Sequence, residues 1–190
     1  MDEKSLINKL KKLLGPSRFN HSIRVRDKVL HMSKHHRIDI KKAGIAALLH
    51  DCSRYLDRSG LLKLAIKLKM KIDPIARLEP KLLHAPLSAY IAKKMFEIRD
   101  KQILRAISSH TLGRKGMSML EKIVYVADHV EEGRTHASAR KARLIAEKDI
   151  DKAIVTISSS MIKYLIDNDL PVHPGTYNVR NYYLLKHEQT

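Results

Sequence analysis

The 190-residue chain lacks tryptophan and has only two phenylalanines, seven glycines, six prolines and one cysteine. The single cysteine, Cys52, excludes an internal disulfide and favours a reducing, cytoplasmic location. No apolar run approaches the ~20 residues that span a membrane, and the acidic, amphipathic N-terminus does not resemble a signal peptide. Because residues typical of turns and strands are scarce, the composition favours helices over sheets.

Negative charge is also scarce, since 20 acidic residues stand against 37 lysines and arginines and the formal net charge is +17. Such an excess attracts polyanions, including nucleic acid and phosphate-rich small molecules. Charge alone does not identify the partner. We therefore keep nucleic acid as a secondary partner, and an RNA- or ribosome-binding protein with a vestigial site as an alternative function.

Apolar residues recur at helical spacing along most of the chain. The predicted helices span residues 2–14, 18–36, 39–55, 61–70, 82–96, 101–109, 118–130, 137–147 and 149–168. Asp100 is a predicted N-cap, and Ser118 with Glu121 has the form of a capping box. Residues 171–190 are predicted to form an extended or loosely helical tail. Without repeats or flexible linkers, residues 1–190 predict one all-α domain, a helical bundle with its core at about residues 18–170.

The dipeptide His50-Asp51 ends an apolar run over residues 43–49. Buried imidazole and carboxylate groups cost free energy unless they are paired or bind a metal. For this dipeptide alone, a structural pair at a helix end is the simpler interpretation. However, further residues of the same types lie at or near the ends of apolar stretches. They are His21, His84, His110 and Asp128.

Imidazole and carboxylate groups suit iron, manganese, zinc or nickel. Two metal ions sharing a bridging carboxylate acidify a water and clamp both oxygens of an in-line phosphoryl displacement. Four histidines and two aspartates fit that demand, and Asp51 is the candidate bridge. A cysteine-based zinc site is excluded because Cys52 has no companion, and a Cys52 nucleophile is not predicted because no dedicated base is evident.

The order of these six residues resembles the HD-domain superfamily of metal-dependent phosphohydrolases. Longer segments narrow the resemblance: residues 18–21, 46–51, 83–86, 110–118 and 127–131. Together they are similar to the YqeK-type family of bacterial symmetrical bis(5′-nucleosyl)-tetraphosphatases, from about Arg18 to Asn181.

The resemblance implies an all-helical HD-type fold with a two-metal centre. The metal would be iron, with manganese, nickel and zinc as alternatives. It implies cleavage of diadenosine tetraphosphate at the middle of its phosphate chain, giving two ADP. His21, His50, Asp51 and Asp128 would hold one ion, and Asp51 would bridge to a second ion held by His84 and His110. The alternative within the superfamily is a phosphohydrolase acting on another nucleotide.

A tetraphosphate carries about four negative charges and needs cationic partners besides the metals. The predicted substrate-binding residues are Arg18, Arg54, Ser88, Thr111, Gly113, Arg114, Arg134 and Asn181. Ser88 stands where the family usually has glycine, so we expect a local shift or an extra phosphate contact there. Asn181 lies in a tail that resembles the family's end and is expected to close over a base or ribose. Apolar positions on the first helix, if exposed, are the candidates for a homodimer contact.

Overall fold

The computed structural model describes residues 2–34 and 36–188, with the backbone alone at residues 187 and 188. Eleven α-helices, and no β-strand, occur in that part of the chain. The helices are α1 (Glu3–Leu13), α2 (Pro16–Ser33), α3 (Ile40–Leu49), α4 (Arg58–Lys67), α5 (Pro74–Leu78), α6 (His84–Met95), α7 (Lys101–Ser109), α8 (Met119–Val130), α9 (Ala137–Ala146), α10 (Ile150–Asp167) and α11 (Pro174–Glu188). A 3-10 turn, Pro80–Leu83, precedes α6. The all-helical prediction is confirmed.

Short acidic side chains begin six of the described helices. Each accepts a backbone N–H of the first turn: Asp2, Asp39, Asp57, Asp73, Asp100 and Asp149. A carboxylate in this position satisfies an unpaired donor and offsets the positive end of the helix dipole. The predicted cap at Asp100 and the predicted capping box of Ser118 and Glu121 are both confirmed.

Two sequence predictions about helix ends are wrong. The helix predicted over residues 39–55 ends at Leu49, and a series of turns carries residues 50–55. The tail after residue 171 forms the regular helix α11, which packs along α10. Its few buried side chains, including Val179 and Tyr183, lie one helical turn apart. Other apolar side chains of this helix, such as Tyr177 and Leu185, are exposed, so the apolar periodicity was weak in the sequence.

Two buried helices of the core position three of the ligand candidates. Helix α8 is buried along most of its length, and Asp128 lies in its last turn. Helix α3 is likewise apolar and buried, and His50 and Asp51 follow it directly. A second, smaller apolar cluster, which includes Leu61, Leu83 and Leu87, joins α4, the 3-10 turn and α6. This cluster fixes the start of α6 and therefore His84.

The first helix directs its apolar side inward. Leu6, Leu10 and Leu14 are buried in the main core, and Ile7 and Leu13 pack against it. These buried positions are therefore not available for a homodimer contact, and the homodimer stays a prediction without a surface on this side of the helix. Among the described residues, none of the helices combines the length and the apolar character needed to cross a bilayer.

Candidate metal centre

The six candidate ligands, which five different helices and their ends carry, converge at one point. His21 lies in α2, His84 begins α6, and His110 follows α7. His50 and Asp51 follow α3, and Asp128 comes from α8. The imidazole Nε2 atoms of His21 and His50 are 3.2 Å apart, and those of His84 and His110 are 3.0 Å apart. The fold thus assembles residues that are up to 107 positions apart in the chain.

Three of the histidines are oriented in the same way. The Nδ1 atom of His50 donates to the carbonyl of Ala47 at 2.7 Å, and that of His110 to the carbonyl of Ile107 at 2.7 Å. His84 makes the same bond to the carbonyl of Lys81, three residues earlier. A carbonyl only accepts, so the ring proton is on Nδ1 and the Nε2 lone pair is available to a metal.

His21 has a different support. Its Nδ1 donates to the buried carboxylate of Glu131 at 3.1 Å. Glu131 is held in turn by the Arg24 guanidinium at 2.6 Å and by the backbone N–H of Gly133. A carboxylate behind a histidine fixes the ring and increases its basicity as a ligand.

Asp51 lies between the two histidine pairs. Its Oδ2 is 3.5 Å from His50 Nε2 and 3.8 Å from His21 Nε2. Its Oδ1 is 3.2 Å from His84 Nε2 and 3.8 Å from His110 Nε2. Each carboxylate oxygen therefore faces one pair, the arrangement that a bridging ligand requires. Oδ1 is buried and has no hydrogen-bond partner.

These residues fit metal ions. Donor atoms bound about 2.0–2.2 Å from one ion lie roughly 3.0–3.5 Å from each other. The donors of His21, His50 and Asp51, and those of Asp51, His84 and His110, each lie within 4.8 Å of one another. Asp128 Oδ1 is 3.0 Å from His21 Nε2 and completes the first group. A cation bound by the second group, Asp51 with His84 and His110, would explain why Asp51 Oδ1 has no hydrogen-bond partner.

Comparison with known proteins agrees with this geometry, since residues 18–133 match the HD domain. The chain belongs to the HD domain family. It is 30% identical over 182 residues to the symmetrical bis(5′-nucleosyl)-tetraphosphatase of Bacillus subtilis (strain 168), covering 96% of this chain and 97% of that one. It is 32% identical over 186 residues to the protein of the same name from Halalkalibacterium halodurans, covering 98% and 99%.

The fold of this HD domain protein is also that of a solved structure. The crystal structure of a predicted HD superfamily hydrolase involved in NAD metabolism, from Clostridium acetobutylicum, superposes with a TM-score of 0.93. The two chains are 32% identical, and the match covers 98% of each. The resemblance to the HD superfamily and the predicted HD-type fold are therefore confirmed.

The electrostatics of the centre favour the metal-binding forms of Asp51, Asp128, His84 and His110. At His50, burial opposes protonation, but the charges of Asp51 and Asp128 outweigh it and raise the pKa of the ring. Burial alone raises the pKa of the Asp51 carboxyl, but the charges of His50, His84 and His110 outweigh it and hold that pKa well below its usual range. Burial likewise opposes ionisation of Asp128, yet its bonds to the histidines keep its pKa low. Burial, together with the neighbouring imidazoles, lowers the pKa of His110 to about 3. Ionised carboxylates and neutral imidazole are the forms that bind metals.

Four of the predicted substrate-binding residues border the centre. The Arg18 guanidinium donates to Asp51 Oδ2 at 2.7 Å, and Arg134 donates to the backbone carbonyl of Asp128 at 3.1 Å. The Thr111 hydroxyl lies 3.0 Å from His84 Nε2. Arg54 is close enough to Asp51 to interact electrostatically, although burial lowers the pKa of its guanidinium.

The other four have partners within the fold. Arg114 makes two 2.6 Å bonds to the buried carboxylate of Glu121. The buried Ser88 hydroxyl accepts from the backbone N–H of Ser53 at 3.0 Å and bonds to its hydroxyl, so the expected phosphate contact has no support there. Gly113 has a φ of +67°, and a Cβ there would lie 2.8 Å from Val179 of α11. Asn181 accepts a bond from Arg180 on the same helix.

Sequence reasoning missed Glu131 and Arg24 as parts of the centre. Glu131 lies three residues after Asp128, almost one helical turn further along, and that spacing was a usable signal. Arg24 offered none, because one arginine among many gives no indication of a buried carboxylate partner 107 residues away.

Proposed function

We propose that this HD domain protein is a metal-dependent hydrolase that splits diadenosine tetraphosphate symmetrically into two ADP at a two-metal centre. The observation that carries the proposal is the position of Asp51, with one carboxylate oxygen toward each histidine pair. The substrate follows from the names of its nearly full-length relatives. We propose iron as the metal, with manganese, nickel and zinc as alternatives for the same donor set.

One ion would be held by His21, His50 and Asp128, and the other by His84 and His110, with Asp51 shared. When bound, the two ions supply a Lewis-acid clamp on the phosphoryl oxygens and acidify a water. The reaction adds one water across the central P–O–P linkage and releases two nucleoside diphosphates.

The surrounding side chains bind and orient the phosphate chain. Arg18, Arg54 and Arg134 lie around the centre and offset the charge of the phosphates. The Thr111 hydroxyl, beside His84 and 3.2 Å from His110 Nε2, can donate to a phosphate oxygen. The Arg18 guanidinium donates to Asp51 Oδ2 at 2.7 Å, and its side chain is 34% exposed, so it can also contact the phosphates.

The test is elemental analysis of the purified protein followed by separation of the reaction products. We expect about two metal ions per chain and ADP as the sole nucleotide product. Formation of ATP with AMP, or no hydrolysis by metal-loaded protein, would contradict the proposal. Asp27→Asn should behave like the unaltered protein in both measurements, because Asp27 is exposed and pairs with the neighbouring Arg26.

A panel of nucleotides separates the alternatives. It should contain 5′-nucleotides, guanosine polyphosphates and NAD, the last because of the description of the Clostridium relative. If another nucleotide of the panel gives a higher kcat/KM than diadenosine tetraphosphate, that nucleotide is the preferred substrate. The reaction class, metal-dependent phosphohydrolysis, would stay the same. The +17 charge suggests the alternative of an RNA-binding protein. Tight RNA binding that weakens with salt but does not change when a chelator is added would favour that alternative.

A further inference from the structure

A cavity of about 710 Å³ opens directly beside the candidate metal centre. It lies between the end of α8, the start of α9 and the second half of α10. Asp128 and Arg134 line one end of it. Its volume is within the roughly 300–1,000 Å³ that small-molecule sites occupy. None of its α10 residues was singled out by the sequence pattern.

One wall of the cavity is a stripe along α10, formed by Ile157, Ser160, Met161 and Tyr164. Their spacing of three, four and seven residues puts them on one face of the helix. Ile157 also packs in the main core with Ala153 and Ile154, so the stripe continues the core-facing side of α10 toward the end of the helix. Met161 is 38% exposed and Tyr164 is 58% exposed, so the chain leaves the outer part of this stripe uncovered.

The end of the cavity near the centre is polar and cationic. Arg134 bonds to the backbone carbonyl and, at 3.4 Å, to the carboxylate of Asp128, while 40% of its side chain stays exposed. The Nδ1 of His136 accepts from the backbone N–H of Ala139 at 3.2 Å. A neutral His136 ring therefore has its proton on Nε2 and can donate a hydrogen bond to a ligand. The cavity thus runs from charged groups beside a metal ligand to an aromatic and thioether wall.

Resting on the function proposed above, we propose that this cavity binds the nucleoside of one half of the substrate. The phosphates lie toward Asp128 and Arg134, and the base packs against Met161 and Tyr164. A purine nucleoside diphosphate matches this order of groups, since its charge is at one end and its flat apolar ring at the other. Tyr164 is the specificity-determining residue, because an aromatic ring stacks on a base but gains nothing from a bare phosphate chain.

Calorimetric titration of the metal-loaded full chain with two probes, ADP and inorganic diphosphate, tests the assignment. Tyr164→Ala should weaken ADP binding about ten-fold or more, the usual effect of losing a stacking partner. Ser160→Trp, which fills the cavity, should weaken it further. Diphosphate binding should stay within about two-fold in both variants, because the phosphate end is untouched. Tyr164 is largely exposed, so Tyr164→Ala should fold normally, as circular dichroism will check.

Two matched controls sharpen the result. Tyr177→Ala removes a similarly exposed tyrosine, 56% accessible, from α11. Lys163→Trp adds the same bulk as Ser160→Trp on an exposed position of α10. Both should bind ADP like the unaltered protein.

The assignment is overturned if unaltered protein does not bind ADP, or if Tyr164→Ala and Ser160→Trp bind ADP unchanged. It is also overturned if the two variants lose as much affinity for diphosphate as for ADP, or if Tyr177→Ala weakens ADP binding more than Tyr164→Ala does. These binding measurements need no turnover. Failure to hydrolyse diadenosine tetraphosphate would therefore count against the proposed function alone.

Discussion

Each half of the Asp51 cluster contains two histidines, but the first half also contains Asp128, and the surroundings of the rings differ. In the half with His21, His50 and Asp128, one ring is backed by the Glu131 carboxylate. In the half with His84 and His110, both rings are backed by backbone carbonyls. A carboxylate strengthens the ligand more than a carbonyl does. We therefore expect the first half to hold a metal ion more tightly and the second half to exchange its ion first.

Removing the shared carboxylate should weaken metal binding in both halves, because Asp51 faces both histidine pairs. Asp51→Asn removes the charge that faces both histidine pairs while keeping the size of the side chain. We expect hydrolysis to fall by about a thousand-fold or more, since a metal site supplies several kcal/mol of transition-state stabilisation. Metal content should fall below about one ion per chain.

The control for this variant is Asp27→Asn, which should keep both metal content and activity. Retention of two tightly bound ions by Asp51→Asn would contradict the bridging role of Asp51. Loss of the ion of one half alone would instead assign Asp51 to that half.

A substitution at Glu131 tests the asymmetry itself. Glu131→Gln keeps an acceptor for His21 but removes the charge that makes its ring more basic. Metal affinity in that half should fall about 10–100-fold, and the affinity of the other half should change little. The metal affinities of the two halves can be measured by stepwise competition with a chelator, followed by elemental analysis. We expect the two affinities to differ less in Glu131→Gln than in the unaltered protein.

The neighbouring Glu132→Gln is the matched control, because Glu132 is exposed, with a side chain 68% accessible. In the chelator competition, Glu132→Gln should lose its two ions in the same two steps as the unaltered protein. An equal loss of affinity in both halves of Glu131→Gln would mean that Glu131 supports the fold of the whole centre rather than His21.

The same contrast explains what could be predicted from the sequence. Most helices and the six ligand candidates could be predicted from local signals, because apolar periodicity, helix caps and metal-ligand residue types can be recognised in short segments of sequence. Long-range pairing was not predictable. Arg114 and Arg134 looked equivalent as basic residues near ligands, yet Arg114 pairs with Glu121 while Arg134 borders Asp128. The hydrogen bonds of Ser88 to Ser53, 35 residues earlier, were not predictable for the same reason.

Arg114 supports the His84 and His110 half through the loop that carries Thr111. It joins the buried Glu121, which also accepts from Ser109 at 2.9 Å. Arg114→Lys keeps the charge but loses the two-pronged geometry. We expect kcat to fall by no more than about ten-fold, with a destabilisation of about 1–3 kcal/mol and no change in metal content.

Thermal unfolding and the split between kcat and KM check this prediction. The exposed Arg58→Lys, whose side chain is 53% accessible, is the control. A rise in KM without loss of thermal stability would instead assign Arg114 to phosphate binding, the role that its position in the sequence suggested.

Cys52 should have the smallest effect, although it follows the bridging Asp51 directly. Its thiol is buried, and burial raises its pKa to about 12. A thiol with so high a pKa is almost entirely protonated near neutral pH and is a poor nucleophile. Its Sγ donates to the backbone carbonyl of Ser88 at 3.3 Å, a weak bond within the core.

Cys52→Ala should therefore hydrolyse the substrate within about two-fold of the unaltered protein, with both metals retained. In the folded protein a thiol reagent at about pH 8 should react slowly with Cys52, and unfolding should release a thiol of ordinary pKa that reacts at once. A hundred-fold loss of turnover with the metals retained would contradict this prediction and would mean that Cys52 takes part in the chemistry. It would also mean that the two halves of the centre do not account for the reaction by themselves.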